Sequence, residues 1–225
     1  MHQPLAKRVV AEALGTFFLL AAVVGSGIMA ERLANGNTAL ALLANTAATG
    51  SALIALIISF ATLSGAHFNP VVTLSFALRH VFAWREVPFY LLAQLVGGIG
   101  GVIAANLMFG LPAVLMSNHP RTGMAQLFGE FIATLGLLSV ILGASRSTVA
   151  VVAVAVGAYI SAAYWFTAST SFANPAVTVA RCLSDTFAGI RPADAPGFVL
   201  AQLTGGIVAT VLFQWLMPRE TIENR

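Results

Sequence analysis

Long apolar runs, separated by short polar or turn-rich breaks, make up most of this chain. Six runs reach the roughly 20 residues needed to cross a ~30 Å hydrocarbon core. They cover 9–29, 39–63, 87–109, 125–144, 148–168 and 196–217, with breaks at 31–37, 79–86, 117–123 and 184–194. The break between the fourth and fifth runs is only Ser145-Arg146-Ser147, which predicts an antiparallel pair joined by a tight turn. Two shorter apolar stretches remain, 69–78 and 174–183. Ten helical residues rise about 15 Å, half the core thickness, so each stretch reaches the midplane without crossing. Backbone that stops at that depth must be buried in protein or line a wet cavity.

Both short stretches open on the same pair. The first box reads Ser64-Gly65-Ala66-His67-Phe68-Asn69-Pro70-Val71-Val72-Thr73-Leu74, the second Ser171-Phe172-Ala173-Asn174-Pro175-Ala176-Val177-Thr178-Val179. The repetition continues around them. Ala11-Glu12-Ala13-Leu14-Gly15-Thr16 parallels Gly129-Glu130-Phe131-Ile132-Ala133-Thr134, and Ala93-Gln94-Leu95-Val96-Gly97-Gly98 parallels Ala201-Gln202-Leu203-Thr204-Gly205-Gly206. The expectation is one membrane domain over 1–225, with repeat one at about 7–110 and repeat two at about 124–218. Three spans per unit is an odd number, so the second unit enters the membrane inverted. The predicted fold is an all-α membrane protein: six transmembrane helices plus two re-entrant half-helices in an inverted 3+3 repeat.

Composition agrees with this reading: 58% hydrophobic, 8% charged, mean hydropathy +0.88. A signal peptide after Lys7-Arg8 is rejected because the first run is too long for one and more spans follow. A net charge of +3 bears on orientation, and nucleic acid is not an expected partner. With the N-terminus inside, Lys7, Arg8, Arg79, Arg85, Arg146, Arg219 and Arg225 face the cytoplasm and Arg32, Arg121, Arg181 and Arg191 face out. That excess places both termini in the cytoplasm of a multi-pass protein of the cell's inner (plasma) membrane. The single cysteine, Cys182, excludes an intrachain disulfide and a paired-cysteine metal or redox site.

Asn is a good N-cap, and Pro at the first helical position needs no amide proton. Asn69-Pro70 and Asn174-Pro175 therefore read as helix starts, which inverted symmetry brings face to face at the midplane. Each start carries about half a positive charge. Two of them in a narrow pore repel cations, and side-chain amides donating into the lumen would interrupt a proton wire.

On these boxes, on Glu12 and Glu130, and on the paired Gln-Leu-x-Gly-Gly segments, the chain resembles the aquaporin, or major intrinsic protein, family over nearly its whole length. The resemblance implies a homotetramer in the lipid bilayer, one pore per protomer. It also implies passive passage of water or small neutral solutes, no enzyme activity, no cofactor and no metal. Val71 stands where the family usually has Ala, which predicts a small change of pore shape near Pro70. Val177 stands where most members carry Arg immediately after Asn174-Pro175-Ala176. Counted at the family's offsets, the outer constriction becomes Thr49, Ala162, Ser171 and Val177, without a ring, a charge or a long side chain. The alternative is that Arg181, one turn along the same helix face, swings in to replace the missing charge.

A wide neutral aperture predicts a solute channel rather than a strict water pore. Val177 and the segment around it resemble a bacterial subgroup of aquaglyceroporin-like channels associated with arsenic detoxification. That implies metalloid hydroxides such as arsenous acid as solutes, with methylated arsenicals as further candidates and glycerol or water as the alternative. A proton-coupled secondary transporter is a distant alternative, for which Glu12 and Glu130 are the only buried acids on offer. The family reading has each carboxylate support the loop of its own half. His67 is a pore-lining candidate, either packed and hydrogen-bonded or a pH gate. Gly97-x-x-x-Gly101 and Gly205-x-x-x-Ala209 predict close helix crossings, and Trp84, Trp165 and Trp215 sit where interfacial anchors belong.

Overall fold

The computed structural model describes residues 3–217, so Arg219 and Arg225 lie outside the described residues. Eight α-helices occur among them: α1 Leu5–Leu33, α2 Thr38–Ser64, α3 Pro70–Leu78, α4 Val87–Met108, α5 Met124–Gly143, α6 Val149–Phe166, α7 Pro175–Arg181 and α8 Ala195–Leu216. Six are long and apolar enough to span a membrane, while α3 and α7, with nine and seven residues, are not. α1 extends four residues beyond the predicted run at each end, because Leu5-Ala6-Lys7-Arg8 and Ala30-Glu31-Arg32-Leu33 are good helix formers with no breaker among them. At 29 residues it is longer than a perpendicular crossing requires. A 3-10 turn at Trp84–Glu86 leads into α4.

The helix ends follow local chemistry. The Asn37 side chain caps α2 by accepting from the Leu40 amide at 3.0 Å, and Thr148 caps α6 from the Val151 amide. α2 stops at Gly65, whose φ of 94° is the left-handed conformation of a helix C-cap. That turn drops the chain back toward the midplane, to the start of α3.

α1 packs on α2 and α4; α5 packs on α6 and α8; α2 meets α6 across the two halves. Both half-helices lean on the third spans, α3 on α4 and α8, and α7 on α4 and α8. The glycine pairs set the closest crossings. A Cβ on Gly97 or Gly101 would overlap the α1 carbonyls of Ala13 and Phe17, and one on Gly205 would overlap the α5 carbonyl of Phe131. Ala209 is fully buried one turn past Gly205. Without a hydrophobic force between helices in lipid, such backbone-to-backbone packing is what holds spans together. Outward rows such as Val10, Leu14 and Phe18 on α1, and Leu200, Ile207 and Val211 on α8, are exposed. Trp84, Trp165 and Trp215 are exposed at or near helix ends.

Gly97→Val should therefore lower stability by about 1–3 kcal/mol or more, through overpacking at the α1–α4 crossing. Gly143→Ala should not, because its new methyl group meets only the Phe213 ring at an ordinary 3.5 Å. Thermal unfolding in detergent would separate them; equal melting temperatures would contradict the crossing argument.

Candidate functional site

The loops that deliver α3 and α7 are strained in the same way. Ala66 and Phe68 have φ of 50° and 49°, and Ser171 and Ala173 have φ of 51° and 50°. A side-chain-bearing residue in this left-handed region costs roughly 1–2 kcal/mol, so something must hold each loop. In the first half it is Glu12 on α1, fully buried. Its oxygens accept from the His67 amide at 2.9 Å, the Phe68 amide at 2.8 Å, Ser64 Oγ at 2.7 Å and Gln94 Nε2 at 2.8 Å. In the second half Glu130 on α5, also fully buried, accepts from the Phe172 and Ala173 amides at 2.8 Å each and from Gln202 Nε2 at 2.6 Å. Every one of these partners is a donor, so both carboxylates serve here as acceptors.

Gln94 and Gln202 carry the clamp on to the half-helices. Each Nε2 also reaches a hydroxyl, Thr73 at 3.0 Å and Thr178 at 2.8 Å. Those hydroxyls in turn donate to the carbonyls of Asn69 and Asn174. The sequence marks these glutamines only as part of the repeat. The available signal was a buried amide in an otherwise apolar span.

The two half-helix starts meet. Asn69 Oδ1 accepts from the Val71 amide at 2.9 Å, and Asn174 Oδ1 from the Ala176 and Val177 amides at 3.0 and 3.3 Å. Pro70 and Pro175 occupy the first helical positions. The side-chain amides also reach across: Asn69 Nδ2 donates to the Ala173 carbonyl and Asn174 Nδ2 to the Phe68 carbonyl, both at 2.8 Å. An amide has two protons, so one on each Asn remains for the cavity that both line.

That cavity, about 130 Å³, runs between the boxes and is walled by one stripe from each of four helices. The stripes are Leu19 and Val23 on α1, Thr49, Leu53 and Ile57 on α2, Leu137 and Ile141 on α5, and Val152, Val156, Ile160 and Tyr164 on α6. A water occupies about 30 Å³ of liquid, so a short file of waters or one small polyol fits. Thr49, Ser171 and Val177 line the cavity and are almost completely buried. Ala162 does not line it and is exposed on α6. Tyr164, two residues on, lines the cavity instead and donates from its hydroxyl to Thr49 Oγ1 at 3.2 Å, so a ring stands where the expected constriction had none. The physical reason is register: the α6 stripe repeats every four residues from Val152, and position 162 falls off it. Val71 is also turned from the pore. It is buried against Gly206 of α8, where a Cβ would overlap its Cγ1. Pro70, Pro175 and Ala176 are buried behind the two Asn residues.

The ends of the cavity differ. At the first-box end His67 lines the wall, 3.0 Å from Thr73 Oγ1 through Nδ1 and ringed by Phe76, Phe82 and Tyr90. Beside it Arg8 reaches Glu86 at 2.5 Å and the Tyr90 hydroxyl at 3.0 Å. At the second-box end stand Arg121 and Arg181, both buried. Arg121 is fully tied down. It donates to the carbonyls of Gly189, Ser169 and Phe187 and to Thr170 Oγ1, and its backbone amide reaches Asp194. Burial pulls its guanidinium down to about 10, with Glu130 and Tyr164 pulling the other way, so it stays charged at neutral pH. Burial first, then Arg121 and Arg181, holds the neighbouring His119 below its ordinary value, which favours the neutral imidazole. Arg181 does not swing down to the level of Val177. It lines the cavity one turn further out, with Nε on the Ala188 carbonyl and its guanidinium over the Phe172 ring. No group of three or more potential metal ligands occurs among the described residues.

The family model described as Major intrinsic protein matches residues 1–150 and 143–225. The chain is 54% identical over 213 residues to aquaglyceroporin AqpS of Rhizobium meliloti, covering 95% of this chain and 91% of that one. It is 35% identical over 181 residues to aquaporin NIP1-3 of rice, covering 77% of this chain and 62% of that one. Among solved structures, the aquaglyceroporin from Plasmodium falciparum superposes with a TM-score of 0.78 at 21% identity, over 96% of this chain and 98% of that one.

Glu12→Gln and Glu130→Gln should each turn a donor toward the loop amides and leave buried donors unsatisfied, at about 1–3 kcal/mol per group. Both variants should melt lower in detergent than the native chain. Unchanged melting with a lost dependence of flux on a proton gradient would make these carboxylates a relay instead of a clamp.

Proposed function

The chain belongs to the major intrinsic protein family, and we propose that its pore passes small uncharged hydroxylated solutes, with trivalent metalloid hydroxides such as arsenous acid foremost and methylated arsenicals as further solutes. The family consists of membrane channels, not enzymes, and the six spanning helices make this chain an integral multi-pass membrane protein. The observation that carries the finer reading is the composition of the second-box end. Thr49, Tyr164, Ser171 and Val177 line it, and the guanidinium nearest to them is set back by a turn.

Width and chemistry both favour such a solute. Val177 does not extend across the lumen as an arginine would, so no guanidinium at that level excludes a solute larger than water. The polar side chains there, Thr49, Tyr164 and Ser171, carry hydroxyls, the kind of group that replaces part of the hydration a solute sheds on entry. Arsenous acid is neutral near neutral pH and comparable to a small polyol in size, so it crosses the midplane without meeting the electrostatic barrier that the two helix starts raise against cations. No thiol lines the cavity among the described residues, so trivalent arsenic would not be trapped on the way.

Glycerol is the second reading, favoured by the likeness to the Rhizobium relative, an aquaglyceroporin. In this reading the protein is a homotetramer in the inner (plasma) membrane. Both termini are cytoplasmic, and the His67 end of the pore faces the cytoplasm. Arg121 and Arg181 then belong to the outer mouth and are buried within the protein, so they are not free loop charges weighing against that orientation.

Purified protein in liposomes should pass arsenous acid well above empty vesicles, and Val177→Arg should cut that flux roughly tenfold or more. Fast water flux with no arsenous acid or glycerol flux would overturn the reading.

A further inference from the structure

Arg181 is 2% exposed, and a buried cation normally needs a paired carboxylate. None bonds to it. Asp185 is taken by Asn118, Asp194 by the Arg121 amide and Arg191, Glu31 by the Phe187 amide, and Glu130 by its own loop. What Arg181 has is a ring, a carbonyl and a helix end. Its guanidinium carbon lies 3.4 Å from the Phe172 centroid, its Nε donates to the Ala188 carbonyl, and it sits in the last turn of α7, where the helix dipole favours a cation.

These contacts leave its charge uncancelled and part of its surface wet. Among the described residues its two terminal nitrogens have no hydrogen-bond partner, yet neither is among the buried polar atoms sealed without one. It lines both the long cavity and the pocket that opens beside His119, Arg121 and Phe187. Anything entering from that end passes this guanidinium before it reaches Val177. Arg121 adds a second positive charge 4.8 Å from the same Phe172 ring, but all its donor groups are held by protein acceptors. His119, the remaining titratable group facing the pocket, is biased toward its neutral form.

We propose that Arg181 is the residue that bars cations at this end of the pore, so that charge is sorted at Arg181 and size one turn deeper, at Val177. A guanidinium on the axis at the level of Val177 would do both jobs and narrow the passage. Moved out by a turn and held over the Phe172 ring, it keeps the field without blocking the lumen. The proposal rests on the reading of the pore as a passage for neutral solutes, and it adds the residue that keeps a wide passage from leaking ions.

The test measures two fluxes in the same liposomes: proton and sodium leak under an imposed gradient, and uptake of glycerol and arsenous acid. In Arg181→Gln the ratio of ion leak to neutral-solute flux should rise roughly ten- to a hundredfold, the range for removing one unit charge a few ångströms from an ion's path at intermediate dielectric. Arg181→Lys should keep the native ratio, and adding Val177→Arg to Arg181→Gln should bring the ion leak itself back down toward the native level. Should the Gln variant not reconstitute, Arg181→Met repeats the measurement with a stem that still packs on Phe172. A native ratio in the neutral variant overturns the proposal. Absence of arsenous acid flux in the native chain overturns only the metalloid reading, because the ratio is still read with glycerol.

Discussion

A half-helix can start in the middle of a membrane only if the loop that delivers it has an acceptor for its amide protons. Here that acceptor is a buried carboxylate in each half. Glu12 and Glu130 gather consecutive loop amides that would otherwise face apolar helices, and an unsatisfied amide at that depth costs several kcal/mol. The same bonds hold Ala66, Phe68, Ser171 and Ala173 in left-handed conformations that are unfavourable alone. Through Gln94 and Gln202 the clamp extends to the half-helices themselves. Once both loops are held, the two Asn side chains can bond across the midplane, each to the other loop's carbonyl. The position of the helix starts, and so of the pore's central field, follows from two acids that do not themselves line the lumen.

This dependence explains why so much of the fold could be read from the chain. Span length, the paired Asn-Pro boxes and the matched acids are each forced by the bilayer, which tolerates neither a broken helix nor a buried charge without a reason. Such features leave a mark in a single sequence because their cost is high. Helix ends beyond the hydrocarbon, as at both ends of α1, leave no such mark, since extending a helix into water costs little.

The walls of the pore were harder to read, for a related reason. α6 is apolar all round, so nothing in its sequence says which stripe faces inward, and a count from a distant motif put Ala162 where Tyr164 stands. Val71 could not be placed because its neighbour across the helix interface, Gly206, is more than a hundred residues away. Arg121 reads as a loop charge until its carbonyl partners at Ser169, Phe187 and Gly189 are seen to converge on it. In each case the missing information is a contact between elements, which periodicity within one element does not contain.

The two ends of the pore then differ in what the shared scaffold supports. At the first-box end the cation is neutralised: Arg8 pairs with Glu86 and packs beside Phe82 and Tyr90. At the second-box end the carboxylates are spent on backbone amides and on other side chains, which leaves Arg181 beside the lumen without an acid partner among the described residues. A scaffold that strapped Arg181 to an acid would cancel the field there, and one that placed the guanidinium at Val177 would narrow the aperture. An aperture without a guanidinium and a cation just beyond it that has no acid partner among the described residues are compatible because Phe172 holds that cation over its face at a point the Glu130 clamp already fixes. The residue that anchors the second loop to its acid is thus the residue that positions the charge at its mouth.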